Sequence, residues 1–250
     1  MRTIKNLIVL AIMLVPAFCI AQETQTRKVD PFNQVRVGGS FNVFINYGNE
    51  EQVKIEPKEG DPAKILTEVK DGILKVRTAD NERNIRAIIY ITYKKLESIE
   101  KSGSGDLTCQ SDLAADNFRL SNGGSGNIVA DKPIKAKRLN VSCSGSGNMK
   151  LADIEAKDFD LSLAGSSNVA IASGQVQNSS ISVAGSGNIR AFGVKSDKCA
   201  LSISGSSRLE ISAAQSLEVA ASGSSEVLYK GNAQLAKIST SGSTQIKKVD

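Results

Sequence analysis

The chain has 250 residues, with 31 Lys and Arg against 26 Asp and Glu, a formal net charge of +5, and neither His nor Trp. The lack of His excludes Ser-His and Cys-His catalytic pairs and histidine metal sites, and so mild a charge, with no basic stripe interleaved with aromatics, excludes a nucleic-acid partner. Hydrophobic residues make up 40% but aromatics only 4%, a supply of Ile, Val, Leu and Ala that suits thin repeated layers better than one thick core.

The first element is a targeting segment. Arg2 and Lys5 precede an unbroken apolar run from Leu7 to Val15, Pro16 ends it, and Cys19-Ile20-Ala21 puts small residues three and one positions before a cut after Ala21. This pattern predicts a signal peptide over residues 1–21, a mature chain beginning near Gln22, and a periplasmic, cell-surface or secreted location. The run is too short to span a bilayer comfortably, and no other segment approaches that length, so no integral membrane span is expected. The rival reading makes Cys19 a lipid-bearing cysteine, against which the bulky Phe18 argues. Loss of Arg2 and Lys5 lowers the formal charge from +5 to +3.

Next comes an irregular third, residues 22–102. Val35 and Val37 lead into GSFNVFI, from Gly39 to Ile45, and strand-like runs follow at Gln52 to Glu56, Ile73 to Arg77 and Ile85 to Tyr93, with a tight-turn signal at Asp71-Gly72. The distance along the chain from Gly39 to Gly103 is close to three periods of the repeat that follows. The region reads as irregular coils with longer excursions, continuous with the regular ones. The alternative is a separate small β domain ending near Lys101.

From residue 103 to 250 the chain repeats. A Gly-Ser pair recurs at Gly103, Gly124, Gly145, Gly165, Gly185, Gly205, Gly223 and Gly242, a nearly fixed period of about 20 residues that points to a solenoid. Four positions before each Gly stands an apolar residue (Val141, Leu161, Ile181 and Leu201 among them), and four positions after it another, with period-two alternation around both. Two short strands therefore flank each turn. A third apolar column, Leu113, Ile134, Ile154, Val176 and Val194, weakens to Ala214 and Ala233. No such coil can bury its own apolar face, so stability must come from stacking. The predicted fold is all-β: a right-handed parallel β-helix (β-solenoid) with coils of about 20 residues, and residues 22–250 form one continuous domain.

The turn residues have a mechanical reading. Gly145, Gly165 and Gly185 allow backbone angles closed to other residues. The Ser after each Gly, as at Ser146, Ser166 and Ser186, can bond to nearby backbone or to its equivalents above and below. Asn127, Asn148, Asn168 and Asn188 fall two positions later in consecutive coils, where stacked amides can form a ladder along the axis. Cys109, Cys143 and Cys199 occupy inward columns too far apart along the axis for a disulfide, and are expected to be buried free thiols.

The order GSFNVFI, then TEVKDGILKVRT (Thr67 to Thr78), then KKLESIEKSGSGDL (Lys94 to Leu107), then serial GSGN units resembles the putative auto-transporter adhesin, head GIN domain family, over nearly all of the mature chain. The resemblance implies a secreted or surface β-helical domain and brings no catalytic residues with it. The Asn column departs from the repeated pattern at Asp106, Arg208, Glu226 and Gln245.

Little chemistry survives in the repeat. The Ser column has no recurring base beside it, and calcium-binding repeats need an Asp in every turn, whereas only Asp106 stands near such a place. A polysaccharide lyase or hydrolase on the same scaffold would need clustered carboxylates on an outer face. Asp131, Asp153 and Glu155, with Lys132 and Lys150, fall in neighbouring links but read as a solvated rim. The remaining surface feature is a flat outward row of Ser121, Ser142, Ser162, Ser182 and Ser202, a candidate binding face for a glycan or a surface protein. The function indicated is an exported, non-enzymatic surface-binding or adhesion module without cofactor or metal; the alternatives are the polysaccharide-acting enzyme and a structural spacer.

Overall fold

The computed structural model describes residues 23–80, 82 and 85–250; the signal-peptide reading, with Cys19 and the cut after Ala21, lies outside the described residues. Alternating small polar and aliphatic residues put most segments into strands, 71% of the described residues, with no α-helix among them. The strands before the repeat are β1 (Gln25–Lys28), β2 (Gln34–Val37), β3 (Asn42–Tyr47), β4 (Gln52–Glu59), β5 (Ile65–Lys70), β6 (Ile73–Thr78) and β7 (Arg86–Tyr93). The repeat opens with β8 (Ser98–Lys101), β9 (Leu107–Cys109), β10 (Leu113–Asn122), β11 (Ile128–Ala130) and β12 (Ile134–Cys143). Then β13 (Met149–Gly165), β14 (Asn168–Gly185), β15 (Asn188–Gly205) and β16 (Arg208–Gly223) each run almost a whole coil, and β17 (Glu226–Lys230), β18 (Gln234–Gly242) and β19 (Gln245–Lys248) finish the stack.

The result is a β-solenoid of about 8 turns with coils of about 20 residues. Neighbouring coils pair in parallel and in register: Val141 faces Leu161, Leu161 faces Ile181, Ile181 faces Leu201 and Leu201 faces Val219. All five are buried, and one apolar cluster runs from Phe32 to Tyr229 through the interior. Each buried Leu, Ile or Val contributes about 1.5–3 kcal/mol over an exposed one, and none could do so within a single coil.

The link column differs in detail from its expected membership. Leu113, Ile134 and Ile154 stand in register, but the next place is taken by Gly174, and Val176 is buried in the neighbouring row opposite Ala156. At the coil from Gly205 to Gly223, the shortest of the regular ones, the register slips between Arg190/Lys195 and Ser196/Lys198. The shortened link turns Ala213 inward, to 1% exposure, and leaves Ala214 outside.

The spatial order of the first coils does not follow the chain. Strand β2 pairs in parallel with both β6 and β8, and β3 with both β7 and β9. Gly39 and Gly103, although remote along the chain, stand in adjacent coils: a Cβ on Gly103 would lie 2.1 Å from the Gly39 carbonyl oxygen. The coil made by β6 and β7 stacks on the outer side of β2 and β3. A two-residue turn at Asp71-Gly72, both at positive φ (51° and 72°), folds β5 antiparallel onto β6. Strands β4 and β1 add antiparallel beyond β7. The amino-terminal end is therefore closed by antiparallel strands. The carboxyl-terminal end is open, with Leu235 at 48% and Ile238 at 42% exposure. Lys248 stands in register with the buried Tyr229 there, and a charge in an inward row discourages further strand addition.

Candidate functional site

The repeated turn is shaped by axial crowding. Gly165, Gly185 and Gly205 have φ of 101°, 132° and 126°. Gly124 and Gly145 have ordinary φ, yet a Cβ on either would lie 2.0–2.1 Å from the carbonyl oxygen of the Gly one coil earlier. The Ser that follows each Gly acts through its backbone. The Ser186 and Ser206 amides donate to the carbonyls of Gly165 and Gly185, one coil earlier, each at 3.0 Å. The hydroxyls of Ser146, Ser166 and Ser186 are exposed. Among the described residues the hydroxyl pairing in this row is Ser40 with Ser104, at 3.1 Å.

The buried hydroxyls belong to the position immediately after that Ser, which the sequence reading missed. Ser167, Ser207 and Ser225 are 0–5% exposed, and their hydroxyls donate to the carbonyls of Gly145, Gly185 and Gly205 at 2.6, 3.2 and 3.0 Å. Where this place holds Gly105, Gly126 or Gly147, an inward polar side chain tends the turn instead. Asn122 donates to the Gly126 carbonyl at 2.8 Å, the Cys143 thiol faces the Gly147 carbonyl at 3.1 Å, and the Lys101 ammonium donates to the Gly103 carbonyl at 3.2 Å. Burial lowers the Lys101 pKa. The alternation of Ser and Gly was the available signal, since either is small enough for a backbone that close.

One residue beyond, the amides form a directed ladder. Asn127 donates to Asp106 Oδ1 from its backbone (2.7 Å) and side chain (3.1 Å). Asn148, Asn168 and Asn188 each donate side-chain N–H to the preceding Asn Oδ1 at 2.9–3.2 Å, and the Arg208 amide closes on Asn188 Oδ1 at 3.2 Å. Every amide points its N–H toward the amino-terminal end and its oxygen the other way. Aligned dipoles favour an anion at the donor end and a cation at the acceptor end. Arg208 occupies the acceptor end, which accounts for one of the departures from Asn, whereas Asp106 stands inside the column, its own amide donating to Asn42 Oδ1 at 3.2 Å. Arg208 in turn pairs with Glu210 (3.1 Å) and Glu226.

The Ser row is a geometric row. Ser121, Ser142, Ser162, Ser182 and Ser202 stand in register on consecutive coils, half-buried at the first two and exposed at the rest. Ser142 donates to Ser121 at 2.8 Å. Ala164, Ala184 and Ser204 lie alongside in the next outward row.

Some of the charged link residues pair between coils. Glu155 pairs with Lys135 at 3.0 Å, Asp116 with Lys137 at 3.0 Å, and Asp153 accepts the Ser173 hydroxyl at 2.5 Å. Asp116, Lys135, Lys137 and Glu155 line the walls of a groove of about 790 Å³ floored by Ala115, Ala136 and Ala156. Among the described residues, no group of three or more His, Cys, Asp or Glu could hold a metal ion.

The family model for the putative auto-transporter adhesin, head GIN domain, matches residues 31–151 and 119–233. The chain belongs to this family. Solved structures share the head GIN fold, each covering 91% of this chain and 96% of its own. A putative adhesin from Parabacteroides merdae is 20% identical with a TM-score of 0.86. From Parabacteroides distasonis, a putative lipid binding protein is 27% identical (TM-score 0.84) and a putative adhesin 22% identical (TM-score 0.81). No curated protein matches the chain.

The three thiols of this head GIN domain are buried and free. Burial pushes the Cys109 pKa up to about 12 and the Cys199 pKa up to about 11, and desolvation raises the Tyr93 phenol to about 12. These groups stay protonated in the fold at pH values where the unfolded chain has released its protons. Their contribution to stability is whole below about pH 8.5, the ordinary thiol pKa, and is lost as pH climbs toward 11–12. Urea midpoints of residues 22–250 should therefore drop between pH 9 and 11, and a thiol reagent at pH 8 should label Cys109, Cys143 and Cys199 only as fast as the fold opens.

Proposed function

We propose that this chain is an exported, non-catalytic head domain that binds a surface partner, a glycan or a protein, on its outer faces. Its membership of a family described as an adhesin head carries the reading. The signal-like segment at residues 1–21 supports export, and the pairing of Glu155 and Asp116 with lysines of neighbouring coils weighs against the enzyme alternative. Side chains fill the interior of the coil, so a ligand of any kind meets the outside. The flat row from Ser121 to Ser202 is the broad face assigned to the partner, because small in-register side chains let a flat surface approach closely.

The test is a glycan and matrix-protein binding array on residues 22–250, comparing wild type with the double variant Ser162→Lys/Ser182→Lys. Two ammonium groups on that row should cut capture of matrix proteins at least ten-fold with the melting temperature held. Undiminished capture by the variant removes the Ser face, and a wild type that captures nothing removes the reading as a whole.

A further inference from the structure

One outward row across the amino-terminal coils differs in chemistry from the rest. It runs through Lys54, Tyr90, Phe44 and Thr108, in register on β4, β7, β3 and β9. The rings of Phe44 and Tyr90 are stacked, 5.4 Å apart at 19°, and the Lys54 ammonium lies 5.2 Å from the Tyr90 centroid. Lys54 is neutralised by Glu56 at 2.8 Å. Both faces of Tyr90 are thus covered, whereas only one face of Phe44 is.

The stack stops at Thr108. The other face of Phe44 is turned to this short side chain, and Val129 follows in register on the far side. Phe44 and Val129 are two strand spacings apart, about 9.6 Å. A ring in contact with both walls needs about 3.5–4.0 Å on each side, so the notch admits one ring above the Thr108 hydroxyl. The neighbouring outward positions are Asp106 and Gln110, both exposed. Asp106 gives Oδ1 to the Asn ladder, which leaves Oδ2 turned to solvent and open to a ligand.

We propose that this notch binds one ring of a neutral saccharide. The C–H face of a sugar is weakly positive and suits the negative π face of Phe44. Val129 supplies an apolar opposite wall, and the Asp106 carboxylate, Gln110 amide and Thr108 hydroxyl meet the sugar hydroxyls. The Asp106 carboxylate is offset by Lys150, in register beside Val129, and the Lys54–Glu56 pair adds no net charge, so the notch favours a neutral ring. The notch also lies beside the excursion β4–β7, where an interruption of a solenoid tends to carry binding function. The proposal rests on the surface-binding reading and gives it a ligand class and a discrete site.

The experiment places wild type, Phe44→Leu, Thr108→Phe and Ser162→Lys/Ser182→Lys on immobilised neutral hexose and N-acetylhexosamine oligosaccharides, with matrix proteins on the same array and melting temperatures measured in parallel. Thr108→Phe continues the ring stack and fills the notch. The expected result is wild-type binding to a neutral oligosaccharide, at least a ten-fold loss in Phe44→Leu, none bound by Thr108→Phe, and retention by the Ser-face variant. Sugar binding by Thr108→Phe at wild-type strength overturns the notch and leaves the surface-binding reading standing, as does a wild type captured by matrix proteins alone. A wild type captured by nothing overturns both.

Discussion

Gly124→Ala will destabilise the fold by about 2–4 kcal/mol, while Gly123→Ala, one residue earlier, will change it by less than about 1 kcal/mol. The two glycines share a turn and differ in what lies above them. A Cβ on Gly124 would sit 2.0 Å from the Gly103 carbonyl oxygen and 2.5 Å from the Gly103 nitrogen, backbone atoms that can move only if the coil moves. A Cβ on Gly123 would meet nothing nearer than the Ser144 hydroxyl at 3.7 Å, an ordinary contact. Since Gly124 has an ordinary φ, the cost is purely one of approach. At Gly185, where φ is 132° and the nearest backbone oxygen 2.3 Å away, strain in a region disfavoured by about 1–2 kcal/mol adds to it. Chemical denaturation of the three single variants checks the order: Gly185→Ala and Gly124→Ala low, Gly123→Ala at wild type. Equal midpoints for Gly123→Ala and Gly124→Ala would show that the coils do not stack as closely as described.

Phe118→Ala will cost about 3–5 kcal/mol, and Leu235→Ala, in the same inward row, less than about 1 kcal/mol. The row runs Phe118, Leu139, Phe159, Ser179, Cys199, Leu217 and Leu235 across consecutive coils. Phe118 is fully buried between neighbours, so truncation leaves a cavity that rigid coils cannot close. Leu235 closes the row at 48% exposure, with a coil on one side only. In a solenoid, stability is close to a sum over neighbouring coils, and the last coil has one neighbour. Thermal unfolding of both variants, with amide exchange along the chain, reads the gradient: protection should be greatest near β12–β14 and lowest over β18. Slow exchange across β18 would contradict an open end.

Much of the regular half is visible in the sequence because stacking in register gives equivalent residues equivalent surroundings. Val141, Leu161, Ile181 and Leu201 look alike because each has the same neighbours above and below. The same logic exposes the Asn column, and the small residues flanking Ser162 and Ser182. It fails where several residue types satisfy one environment. The place held by Gly105, Ser167 and Ser207 demands small size against a backbone carbonyl, and it looks like ordinary turn variation until the Phe41 carbonyl oxygen is found 1.9 Å from where a Cβ on Gly105 would stand and the Ser167 hydroxyl 2.6 Å from the Gly145 carbonyl. It fails also where link length changes, as at Ala213, because a shift of one residue turns a side chain from inside to outside.

The amino-acid sequence by itself determined that this protein is a stack of short β coils with Gly-Ser corners and aliphatic inward rows, since those features repeat with the period of the coil. Only the tertiary structure decided which coil lies on which at the amino-terminal end. The stretch of chain between Gly39 and Gly103 is as compatible with intervening coils as with direct contact between its ends. The choice was made by hydrogen bonds between β2 and β8 and between β3 and β9, partners remote in the chain, and by the antiparallel strands that close the end. The notch beside Phe44 exists because of that choice: Thr108 lies under an aromatic ring from a far earlier segment, a juxtaposition that no local pattern encodes.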